Sequence, residues 1–139
     1  MSDRFFLDTN VLVYSLTSGA PEKQGVAVAL IDRAIESGKG VISYQVVQEF
    51  FSVAFRFKSP ISLDDAERYL STTLRPLLAV HSSYSIFGKA LQLNRQNSLS
   101  WYDSLIVAAA LESKCETLFS EDLQDQREFD DLKIINPFI

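Results

Sequence analysis

The 139-residue chain has one cysteine, one histidine and one tryptophan, with only five glycines and four prolines. A lone Cys115 excludes an internal disulfide and a cysteine-rich zinc site, and is expected to pack as a small residue at a helix end. A lone His81 leaves no histidine cluster for a metal. A Ser-His-Asp triad would have to use it, and no G-x-S-x-G elbow supplies the serine. The sequence contains no G-x-G-x-x-G and no P-loop. No apolar run is long enough to span a bilayer. Basic charge is scarce: 13 Lys and Arg stand against 18 Asp and Glu, a net of −5. That argues against a surface that coats nucleic acid without specificity. It leaves open an enzyme that acts on nucleic acid, because bound divalent cations reverse the local sign of an acid cluster. The opening Met-Ser-Asp-Arg runs into a strand-like stretch without a signal-peptide layout, so a cytoplasmic protein with no membrane association is expected.

What the chain has in quantity is apolar and aromatic side chains, 47% and 12% of the sequence. One domain over residues 1–139 with one core is expected. Strands are predicted at 5–7, 40–44, 77–80, 117–119 and 132–135 from short β-branched or aromatic runs. Helices are predicted at 11–16, 21–37, 45–57, 62–74, 82–96 and 102–114. Gly38 serves as a stop, Ser62, Ser82 or Ser83 and Ser100 as caps, and Pro60 and Pro76 as barriers. Along 21–37 the apolar face is read as Val26, Ala29, Leu30 and Ala34, with Ile31 and Ile35 adjoining. Residues 124–131 are polar and read as a loop or helical turn. Strands alternating with helices imply a three-layer α/β/α fold on a mainly parallel sheet of about five strands.

Four carboxylates recur at comparable places. Asp8 ends the first strand in Phe6-Leu7-Asp8-Thr9-Asn10, where it can cap the next helix or sit where open α/β sheets bind ligands. Glu49 falls at the rim of the helical stripe Val46, Phe50, Val53, Ala54 and Phe57, in a row with Gln45, Ser52 and Arg56. It is either solvated or at the same sheet edge as Asp8. Asp103 starts a helix that is apolar nearly all round, and pairs with Ser100 at capping-box spacing. Otherwise a carboxylate there is costly unless it is paired or bound to metal. Asp122 follows a strand as a cap or polar turn; it and Ser120 can face one site with Glu121 turned outward. Each plain explanation holds alone. Together the four are expected on one edge of the parallel sheet. Close carboxylates resist ionising together, and hard cations taking oxygen ligands relieve this, with Mg2+ or Mn2+ favoured over zinc.

These residues carry a resemblance. Phe6-Leu7-Asp8-Thr9-Asn10-Val11-Leu12-Val13-Tyr14, Gln48-Glu49-Phe50, Trp101-Tyr102-Asp103-Ser104-Leu105-Ile106 and Leu118-Phe119-Ser120-Glu121-Asp122 occur in the order found in the PIN-domain family. Within that family the chain resembles the VapC-type ribonuclease toxins. The resemblance implies that Asp8, Glu49, Asp103 and Asp122 are the acidic site residues, with Thr9 and Ser120 as supporting hydroxyls and Asn10 as a further donor. It implies Mg2+-dependent cleavage of RNA, a cognate antitoxin and a homodimer. Many relatives continue after Leu123-Gln124 with His-Gly, where this chain has Asp125-Gln126. Substrate phosphate would need cations at the rim, and Arg56 and Lys58 are the nearest in sequence. Two other functions fit the same fold: a non-catalytic module binding RNA or protein, and a housekeeping or DNA-directed metal nuclease. The surplus of rings at Phe50, Phe51, Phe55 and Phe57 predicts that part of this helix meets another chain.

Overall fold

Phe5, Phe6 and Leu7 are all buried, as expected of a central strand covered by helices on both faces. They form β1 (Phe5–Leu7) of a computed structural model that describes residues 3–139. The other strands are β2 (Gly40–Ser43), β3 (Leu78–Val80), β4 (Thr117–Phe119), β5 (Glu128–Phe129) and β6 (Leu132–Ile135). They lie in the order β3-β2-β1-β4-β6-β5. Every neighbouring pair is parallel except β5 with β6. The helices are α1 (Thr9–Ser15), α2 (Pro21–Ser37), α3 (Tyr44–Ala54), α4 (Leu63–Tyr69), α5 (Arg75–Leu77), α6 (Tyr84–Gln96) and α7 (Trp101–Glu112).

The caps explain most boundaries. Ser62, Ser83 and Ser100 each accept a backbone N–H three residues on, as predicted. Ser43 does the same for Val46, so α3 begins one residue before the predicted start and takes Tyr44 from the strand. Gly38 closes α2 at φ 69°, a left-handed conformation that costs glycine nothing. Gly40 is required by packing: a Cβ there would lie 2.1 Å from the Ala34 Cβ, so α2 rests directly on β2. The buried residues of α2 are Ala27, Leu30, Ile31 and Ala34, while Val26 and Ala29 face outward. The true stripe follows the i, i+3, i+4, i+7 series from Ala27.

Two further departures have local causes. Pro76 does not stop the chain after α4. Residues 70–74 widen into a π-helical turn in which the Arg75 N–H reaches Leu70 O, and the proline then enters the first turn of α5, where its missing N–H is not needed. The sheet gains a sixth strand, β5, inside the polar 124–131 stretch. It pairs with β6 through a hairpin whose Asp130 has φ 52°, a conformation Asp tolerates better than most residues. Two residues with one apolar side chain offer no alternation to detect. Cys115 is buried, as expected. Among the described residues no helix is long and apolar enough to cross a membrane.

Candidate active site

Asp8 begins as a helix cap. β1 ends at Leu7, and Asp8 in extended backbone accepts the Thr9 N–H on Oδ1 at 2.7 Å. Its second oxygen does something a cap does not require: Oδ2 accepts the Ser120 Oγ–H at 2.7 Å. The Asp8 N–H also donates to Phe119 O at 3.0 Å. The ends of β1 and β4 are thereby tied together. Here the sheet order reverses, since the chain passes from β1 to β2 and β3 on one side and returns to β4 on the other. Ligands of open α/β sheets bind in the crevice at such a point.

Ser120 is fully buried, and its hydroxyl is fully used. It donates to Asp8 and accepts the N–H groups of Asp122 at 3.2 Å and Leu123 at 3.3 Å. One serine therefore aims both Asp8 and the Asp122 backbone. Glu49 enters from α3, where its Oε1 accepts the Thr9 Oγ1–H at 2.9 Å. Asp103 enters from the first turn of α7. Its N–H donates to Ser100 Oγ at 3.1 Å, so the cap forms on one side and the carboxylate stays free. All four carboxylates, with Thr9, Asn10, Tyr14 and Glu121, line one cavity of about 420 Å3.

The electrostatics show a group of charges short of counter-charge. Burial pushes the Asp8 carboxyl up to about 6, and the Asp122 and Glu49 charges add to this; hydrogen bonds from Ser120 and Thr9 offset only part. Asp122 is also raised, by burial first and then by the Asp103 and Glu121 charges. The four acids are thus linked pairwise through space: Asp8 to Glu49 and Asp122, and Asp122 to Asp103. The side-chain amide of Asn10 is buried with neither Nδ2 nor Oδ1 hydrogen-bonded. It lies close enough to Asp122 to favour that charge, but outside hydrogen-bonding geometry. Among the described residues no three acidic, His or Cys side chains already stand together as a finished ligand set; the carboxylates share walls rather than a single point. An all-oxygen donor set, mutual repulsion and an idle buried amide fit the chemistry of a hard divalent cation.

The rim differs from expectation. Arg56 and Lys58 lie beyond the end of α3, exposed and off the cavity, and Arg56 Nε folds back to Ser52 O at 2.8 Å. Lys23, in the first turn of α2, is the cation that reaches the cavity wall. Its Nζ is 2.5 Å from Glu121 Oε2 and 3.2 Å from Tyr14 Oη, and Tyr14 donates to Glu121 Oε1 at 2.6 Å. Glu121 is therefore turned to the cavity rather than outward. Burial works against its charge, but the hydrogen bonds from Lys23 and Tyr14 outweigh it and hold this carboxyl below its ordinary value. The sequence offers no sign of this cluster, because Lys23 reads as ordinary surface charge.

The sequence matches the PIN domain family model over residues 5–132. No curated protein sequence matches the chain. Among solved structures, FitAcB from Neisseria gonorrhoeae superposes with TM-score 0.72 at 19% identity, covering 96% of this chain and 98% of that one. A toxin–antitoxin complex from Klebsiella pneumoniae superposes at 0.64 and 21%, covering 95% and 96%. VapC20 of Mycobacterium tuberculosis, described as a sarcin–ricin-loop-cleaving toxin, superposes at 0.62 and 18%, covering 85% and 89%.

Proposed function

This chain belongs to the PIN-domain family, and from that premise we propose that it is a Mg2+- or Mn2+-dependent endoribonuclease, the toxin of a toxin–antitoxin pair that inhibits translation. The observation that carries the reading is the convergence of Asp8, Glu49, Asp103 and Asp122 on one cavity at the reversal point of the sheet.

Asp8 and Asp103 are the core cation ligands, and Glu49 and Asp122 complete the set or orient the attacking water. A bound divalent cation supplies Lewis-acid polarisation of the phosphodiester and a lowered water pKa. Ser120 and Thr9 hold Asp8 and Glu49 in place through the bonds described above. Asn10 offers an uncommitted amide to the substrate or its water. In this reading Lys23 at the rim meets an RNA phosphate by exchanging its present partner Glu121. In the metal-free protein the Asp8 carboxyl is raised to about 6, so protons compete with the cation for it increasingly as the pH falls toward and below that value.

Partnership with an antitoxin and a second copy of the chain is supported by the apolar side chains left on the surface. Phe55 is 43% and Leu63 73% exposed. The structurally similar Klebsiella pneumoniae protein is part of a toxin–antitoxin complex, which points the same way.

The test is cleavage of a structured RNA by the purified protein in Mg2+ or Mn2+. Loss of cleavage in EDTA and in folded Asp8→Asn and Asp103→Asn proteins is expected. Undiminished cleavage under any of these conditions would overturn the mechanism.

A further inference from the structure

A second cavity of about 260 Å3 opens beside the acid cavity, and the two share walls formed by Gln45 and Tyr102. Gln45 Nε2 donates to Tyr102 O at 3.2 Å, which ties the start of α3 to the start of α7. Its rings are open to solvent: Tyr102 is 63%, Tyr44 47% and Trp101 37% exposed. Tyr44 lies against His81 with centroids 6.2 Å apart, and Phe87 lies nearly parallel to Trp101 at 6.4 Å. The volume is a little below the roughly 300–1,000 Å3 of small-molecule sites, which suits one flat ring rather than a docked helix. Aromatic faces beside a phosphate-handling site are the usual platform for unpaired bases.

We propose that this aromatic cavity is a nucleobase subsite. It takes the base of the nucleotide adjoining the phosphodiester held in the acid cavity, stacked on Tyr102, with the Gln45 side chain at its edge. The proposal rests on the ribonuclease reading above for the identity of the ligand as RNA. Stacking here sets register and binding, and Tyr102 is a positioning residue that touches no reacting atom. The shared wall favours nucleic acid over a contact between two copies of the chain, because a base in one cavity leaves its phosphate at the other.

Trp101 is the only tryptophan, so its fluorescence reports on this cavity directly. The protein is titrated in EDTA with the dinucleotide ApA and, separately, with ribose 5-phosphate, which lacks a base. Saturable quenching by ApA alone is expected. Tyr102→Ala should weaken ApA binding about tenfold or more, while Tyr102→Phe stays within about twofold of wild type. In Mg2+, Tyr102→Ala should raise the KM for RNA about tenfold and leave kcat nearly unchanged. Equal quenching by ribose 5-phosphate, or unchanged ApA binding by Tyr102→Ala, overturns the subsite. So does unchanged binding alongside a halved mass in light scattering, which would assign the face to a dimer. A wild-type protein that binds ApA but cuts no RNA refutes the nuclease and leaves the subsite standing. One that cuts RNA without binding ApA does the reverse.

Discussion

Helices α4 and α7 start with the same local device and put it to different uses. Ser62 Oγ accepts the Asp65 N–H at 3.1 Å, and Ser100 Oγ accepts the Asp103 N–H at 3.1 Å. The spacing, the cap and the acidic first turn are alike. Beyond that they diverge. The Asp65 side chain is 59% exposed and pairs with Arg68 on its own helix at 3.0 Å. Asp103 looks across a cavity at Asp122 and raises its pKa. Only Ala66 of α4 is buried, whereas α7 buries Ser104 and the run Ile106 to Ala110. A Ser-x-x-Asp pattern therefore reports a helix start. What turns one such start into part of a site is the strand ends facing it.

The comparison breaks most readily on activity. Asp103→Asn should lower RNA cleavage in Mg2+ by about 100-fold or more, and Asp65→Asn should leave the initial rate within about twofold. Equal losses would mean that the two acids do the same job.

The next largest effect is on stability. Asp8 titrates near 6 in the fold against an ordinary 3.8, so the folded state holds the extra proton. This destabilising contribution is absent below about pH 4, grows as the pH rises to about 6 and is then constant, at about 3 kcal/mol. Removing the charge while losing one hydrogen bond, Asp8→Asn should stabilise the metal-free protein by roughly 1–2 kcal/mol at pH 8 and not at pH 4. Urea unfolding at both pH values measures this; destabilisation at pH 8 contradicts it. Mn2+ should raise the Tm of the wild type and not of Asp8→Asn, and the rise should fade as the pH drops below about 6.

The caps come third. Ser62→Ala and Ser100→Ala should each cost about 1 kcal/mol, read from chemical denaturation. Only Ser100→Ala should also slow cleavage, because only that helix start carries a site residue. Smallest of all, Arg68→Ala should change stability by no more than about 0.5 kcal/mol, since its pair with Asp65 is largely in solvent. A larger cost would show that the α4 start is less free than its exposure indicates.

Much of the frame was legible because its signals are local. Buried strands announce themselves as short apolar runs, and serines before helices as caps. Glu49 was legible as a rim residue because helical period fixes its place relative to Val46 and Phe50. β5 was not, because its pairing with β6 lies in a hairpin rather than in an apolar pattern. The outward turn of Val26 was missed by one position, since several apolar neighbours in α2 permit more than one stripe. Arg56 and Lys58 are near Glu49 in sequence but not at the cavity, whereas Lys23 is remote in sequence and contacts Glu121 and Tyr14 of the cavity wall.

Which residue types stand where strands stop and helices start can be read from the chain alone, because capping, turn chemistry and periodicity act over a few residues. The chain thereby named the four acids. What those acids face depends on long-range packing. Ser120 bonds Asp8 from 112 positions away, Lys23 meets Glu121 across α2 and the end of β4, and Tyr102 opens toward a cavity shared with α3. Burial and charge coupling depend on what packs against a group, and no local pattern encodes the partner.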